Sequence, residues 1–75
     1  MELHIGKRIL QVLKEKERSV AWLARKISYD DANLGRLLRS NKHIHSELLL
    51  RITKVLRYDF FAYYSDFLRE NNEVD

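Results

Sequence analysis

The chain has 75 residues, 45% of them apolar, and a net charge of +3 from 14 basic and 11 acidic side chains. A chain this short buries only about 60% of its unfolded surface, enough for one compact core and too little for an enzyme cleft between domains. Cysteine and proline are absent and glycine occurs only at Gly6 and Gly35. That excludes a disulfide framework, thiolate catalysis and a Cys-rich zinc site, and favours helices with short connections over an all-β fold.

Ile5, Ile9, Leu10, Val12 and Leu13 recur at helical spacing among Lys7, Arg8, Gln11 and Lys14, which predicts an amphipathic first helix over roughly residues 4–16. Ser19 is placed to cap a short second helix whose stripe is Val20, Leu23, Ala24 and Ile27, ending around Ser28-Tyr29. Asp30 or Asp31 is placed to cap a third helix that buries Leu34, Leu37 and Leu38. Arg39 to His43 reads as a loop. A fourth helix follows, capped by His45 or Ser46, with Leu48, Leu49, Ile52, Val55 and Leu56 facing inward. Asp59 begins an aromatic fifth segment holding Phe60, Phe61, Tyr63, Tyr64, Phe67 and Leu68. Asn71 to Asp75 has no periodicity and is expected to fray.

No segment is apolar for long enough to span a bilayer, and Met1 to Lys7 lacks the apolar stretch of a secretory signal, so a cytoplasmic protein is expected. Glu70, Glu73 and Asp75 follow Arg69 with no base among them, so residues 1–69 hold all 14 basic side chains against eight acids. A small body with that excess suits an anionic partner, nucleic acid first.

The second and third predicted helices are short and separated by about three residues, Ser28-Tyr29-Asp30. Such a connection makes the axes cross steeply, and small Ala24 fits the point of closest approach. This is the arrangement in which the second helix of a pair enters the major groove of DNA. Segment 19–39, SVAWLARKISYDDANLGRLLR, resembles the Cro and lambda-repressor-type helix-turn-helix family. The shared pattern is a cap, Leu-Ala, an Ile before the turn, then Asp-x-x-x-Leu-x-x-Leu. The run from Glu47 to Leu56 is similar to the fourth helix of that family. Tyr58-Asp59-Phe60-Phe61 is similar to small single-domain regulators of Bacteroides-type bacteria and their phages. The resemblance covers about Ile5 to Tyr64. It implies an all-α, compact five-helix domain over residues 1–69, followed by an acidic, disordered tail over 70–75. It also implies sequence-specific binding of double-stranded DNA by a small transcriptional regulator, a repressor that occludes its operator as a homodimer. Three positions depart from the pattern: Ser28 stands where Gly is common, Val20 where Gln is common, and Asp30 and Asp31 open the third helix where Ser with Arg or Gln is more usual.

With Leu34, Leu37 and Leu38 buried, a turn of about 100° per residue leaves Ala32, Arg36 and Arg39 on the opposite face. Arg36 is the expected base reader, because its planar fork can donate twice to guanine O6 and N7. Ala32 offers a methyl contact, Asp31 can accept from cytosine N4, and Gly35 allows close approach of the backbone. Ser19 at the start of the second helix, with Asn33, Arg39, Ser40, Asn41 and Lys42 around the third, is expected to hold phosphates. Tyr64, Phe67 and Leu68 are the expected dimer seam, and Trp22, off the buried stripe of its helix, lies either under another helix or at an interface.

His43 and His45 form an H-x-H pair, but a structural metal site normally takes four ligands and only His4 remains. No metal, cofactor or small-molecule ligand is expected. The chain has no nucleophile elbow, phosphate-cradling glycine loop or Asp-rich cluster, so no enzymatic role is expected. Two other readings stay open. One is an antitoxin that binds a toxin and its own promoter. The other is a protein-interaction module that has kept this fold and lost DNA binding, which the two aspartates and the missing Gln favour.

Overall fold

The computed structural model describes residues 4–40, 44–63 and 65. Among these the chain is all-helical: α1 (Ile5–Glu15), α2 (Val20–Lys26), α3 (Asp31–Arg39) and α4 (Ser46–Leu56), followed by a fifth helical segment that begins at residue 60. None of these helices is long and apolar enough to cross a membrane.

Local chemistry sets the start of every helix. The side chains of His4, Ser19, Asp30 and His45 accept hydrogen bonds from the first-turn N–H groups of α1 to α4, which otherwise lack partners. Asp59 does the same for the fifth segment, its carboxylate accepting from the N–H groups of Phe61 and Ala62 at 3.0 and 3.1 Å. Of the paired alternatives, Asp30 and His45 are therefore the caps, and Asp31 and Ser46 are the first helical residues.

The helix ends invert the usual role of glycine. The left-handed positions that close α1, α2 and α4 are held by Glu17, Ser28 and Arg57, with φ of 57°, 55° and 53°. At α2 the Tyr29 N–H donates to the Ala24 carbonyl at 2.8 Å and the Ser28 N–H to that of Arg25 at 3.4 Å. This pair of bonds is the Schellman closure, in which the left-handed residue is usually Gly. The α1 end repeats it, with Arg18 donating to Leu13 and Glu17 to Lys14.

Both glycines serve packing instead. A Cβ on Gly6 would lie 2.1 Å from the Leu38 carbonyl oxygen, so the backbones of α1 and α3 meet directly. Gly35 is buried on α3 under the side chain of Arg39.

One core lies between the helices. Ile9, Leu23, Leu34, Leu38, Ile52 and Phe60 are completely enclosed, and Ile44, in the connection before α4, joins them. Leu37 was expected to be buried but is only half-buried: the buried arc of α3 is Leu34, Gly35 and Leu38, which turns Leu37 to its edge. Leu48 and Val55 likewise flank the α4 stripe of Leu49, Ile52 and Leu56. Phe60 fills the core while Phe61 remains 39% exposed. Trp22 packs on the edge of the core, and two cations lie on its ring. The Arg18 guanidinium is 4.8 Å and the Lys26 ammonium 5.9 Å from the ring centroid.

Arg8 ties α1 to the segment after α4. Its guanidinium donates to the Tyr58 hydroxyl and lies 5.0 Å from the Tyr58 ring centroid and 5.9 Å from that of Tyr63. The Tyr58 hydroxyl, as acceptor, raises the Arg8 pKa above its ordinary value.

Candidate functional site

Four residues, Ile27 to Asp30, separate α2 from α3, and the two helices pack together with Ala24 buried. The Schellman closure at Ser28 turns the chain sharply. Asp30 then starts α3, its carboxylate accepting from the Asn33 N–H at 2.9 Å. Leu34 and Leu38 hold α3 from beneath with no exposed surface, and Gly6 lets α1 seat against the same helix. The helix is thus fixed along one side and, among the described residues, uncovered along the other.

The uncovered side carries Ala32, Asn33 and Arg36, all exposed, with Asp31 and Arg39 exposed at the two ends of the helix. Among the described residues the aromatic segment does not cover it. Arg36 donates through Nη2 to the Asn33 side-chain carbonyl one turn earlier. Asn33, expected as a phosphate contact, therefore belongs with Arg36 on the outward face. Its bond takes one of the five N–H donors of the Arg36 fork and holds the fork along the helix, leaving the others for another acceptor. The charges run with the helix dipole, Asp31 in the first turn and Arg36 and Arg39 in the last.

A shallow open depression of about 650 Å³ borders this face, lined by Tyr29, Asn33, Arg36, Leu37, Arg39 and Ser40. Its cationic members are Arg36 and Arg39, and half-buried Leu37 gives it an apolar element. Tyr29 is the residue that the sequence reading missed. It is 38% exposed at the turn, where its phenol borders the depression. The available signal was its position immediately before the cap of α3.

Two of the expected contact residues are engaged within their own helix. Ser40, expected to hold phosphate, has both of its donors on carbonyls of α3. Its N–H donates to the Arg36 carbonyl at 3.1 Å and its hydroxyl to the Leu37 carbonyl at 3.0 Å. Gly35 was expected to face a duplex closely, but it is covered. A Cβ there would lie 3.1 Å from Arg39 Nη1, so access to that backbone requires Arg39 to swing aside. Ser19 keeps a role for its hydroxyl proton, since its oxygen accepts from the Trp22 N–H at 3.0 Å and the O–H can still donate outward.

Asn41 and Lys42, and the expected dimer residues Tyr64, Phe67 and Leu68, lie outside the described residues, as does His43. His45 uses Nδ1 to accept from the Glu47 N–H at 3.2 Å. No group of three or more His, Asp or Glu side chains capable of holding a metal occurs among the described residues. Comparison of the chain with protein-family models, with curated proteins and with solved structures finds no match.

Proposed function

We propose that the protein is a small DNA-binding regulator of the lambda-repressor-like helix-turn-helix type, in which α3 enters the major groove. The carrying observation is the two-sided character of α3. Leu34 and Leu38 are fully enclosed beneath it, while Ala32, Asn33 and Arg36 stand exposed on the other side. A short α2, a tight turn at Ser28 and an α3 capped by Asp30 support the same reading. In this reading Arg36 reads a base, with Ala32 and Asp31 beside it. Arg39, Ser19 and Tyr29 border the sugar-phosphate backbone, and Asn33 steers Arg36. Regulation is repression by occlusion of an operator in the cytoplasm. A homodimer would read two half-sites about 34–36 Å apart.

The test is selection of bound sites from random duplexes, followed by titration of the Arg36→Ala variant against the selected site and against random duplex at two salt concentrations. A bidentate base contact is worth about 1–3 kcal/mol, or roughly 5- to 150-fold on the selected site. Random duplex should change far less. Equal loss on both makes Arg36 a phosphate contact. Absence of duplex binding even at low salt removes the proposal and leaves an interaction module, the reading that the exposed Asp31 carboxylate on the same face favours.

A further inference from the structure

A second depression, of about 420 Å³, lies on the other side of the α2–α3 turn and shares no lining residue with the first. Lys26 at the end of α2 and Arg51 and Lys54 on α4 surround it, all exposed. Half-buried Val55 supplies apolar surface between them, while Ile27 is almost wholly buried in the core, and among the described residues no carboxylate lines the depression. Cations at helix ends commonly just complement the dipole, and that accounts for Lys26 and Lys54, each in the last turn of its helix. It does not account for Arg51, which stands in mid-helix, nor for three cations from two helices around an apolar floor.

We infer that this depression is a docking site for an acidic segment of a partner polypeptide, seated by one aliphatic side chain on Val55. Charge complementarity sets the sign of the partner. The Arg51 fork suits a carboxylate, and the two lysines accept further acids along an extended chain. The apolar floor decides between classes of polyanion. A peptide can place a valine or leucine there, whereas a phosphodiester backbone carries no aliphatic side chain to bury. This inference stands apart from the duplex reading, because its residues are separate from the outward face of α3.

The experiment uses the full chain and a fluorescein-labelled peptide, Glu-Asp-Val-Glu-Asp, beside a counterpart with Asn in place of Val. Anisotropy measures binding. Emission of Trp22, the one tryptophan, gives a second readout through Lys26, whose ammonium lies 5.9 Å from its ring. The acidic peptide is expected to bind, to weaken at least tenfold with the Lys26→Gln, Arg51→Gln, Lys54→Gln triple variant, and to bind severalfold more tightly than its Asn counterpart. All three positions are exposed, and circular dichroism checks that the variant keeps its helices. No binding overturns the inference, as does binding indifferent to the triple variant. Equal binding of both peptides also overturns it, reducing the site to general charge attraction. If the triple variant weakens a duplex oligonucleotide as much as the peptide, and the two compete, the depression belongs to a nucleic-acid footprint and the inference fails. Loss of duplex binding by Arg36→Ala with peptide binding intact would leave both readings standing.

Discussion

Replacing Gly6 with Ala tests the seat of α3 most sharply, because two local rules give opposite signs. Helix propensity favours Ala over Gly by up to about 1 kcal/mol. Against it, the new Cβ would lie 2.1 Å from the Leu38 carbonyl oxygen, 2.8 Å from its carbonyl carbon and 3.0 Å from its Cα. An ordinary contact of about 3.5 Å requires a separation of about 1.4 Å at that point. Every atom met is backbone, so no rotamer change relieves it, and α1 and α3 must move apart while Ile5, Ile9, Leu34 and Leu38 lose contact around them. Overpacking costs about 1–3 kcal/mol and occasionally more, and an immovable neighbour places this case at the upper end. The net loss is about 2 kcal/mol or more. In a domain of this size that lowers Tm by about 8–16 °C. Gly35→Ala is the paired control: its Cβ meets only the Arg39 guanidinium, at 3.1 Å, which can swing away. Propensity then dominates, and this variant should gain about 0.5–1 kcal/mol. Urea and thermal unfolding followed by circular dichroism measure both. A Gly6→Ala variant that melts at or above the temperature of the parent would refute direct backbone contact between α1 and α3.

Four further substitutions probe the ends of α2 and α3 and the Arg8–Tyr58 contact. Ser28→Gly relieves a left-handed residue in the Schellman closure and should raise stability by about 0.5–1 kcal/mol in urea titrations; a loss would mean that the Ser28 side chain stabilises the turn. Asp30→Ala should cost about 1 kcal/mol through loss of the α3 cap, more than Asp31→Ala, which removes only an interaction with the helix dipole; the reverse order of melting midpoints would give the cap to Asp31. Tyr58→Phe removes the acceptor for Arg8 and should cost about 0.5–1 kcal/mol, since this partly exposed contact is screened by solvent. An unchanged midpoint would show that ring packing alone holds the segment.

Much of this architecture is legible in the amino-acid order, because it depends on neighbours in sequence. Ser19, and the pairs Asp30 or Asp31 and His45 or Ser46, mark the helix starts before apolar runs of helical spacing, because a side chain can reach the free N–H groups only from there; the fold chose Asp30 and His45 within those pairs. The same spacing places Leu34 and Leu38 inward and Arg36 outward, since both follow from rotation about a single helix. The left-handed ends at Glu17, Ser28 and Arg57 escaped that reading, as the residues that usually mark such positions are absent from them.

Contacts between distant parts of the chain were decided only by the fold. Gly6 looks like a weak point in a helix until Leu38 arrives against it. Leu37 looks buried until the core closes over Leu34 and Leu38 and leaves it at the edge. Tyr29 and the Lys26, Arg51 and Lys54 cluster gain meaning only from what lies beside them. Periodicity reports which way a residue points on its own helix. What stands opposite depends on how the helices pack, and the steric fit of backbone and side chains across the core settles that.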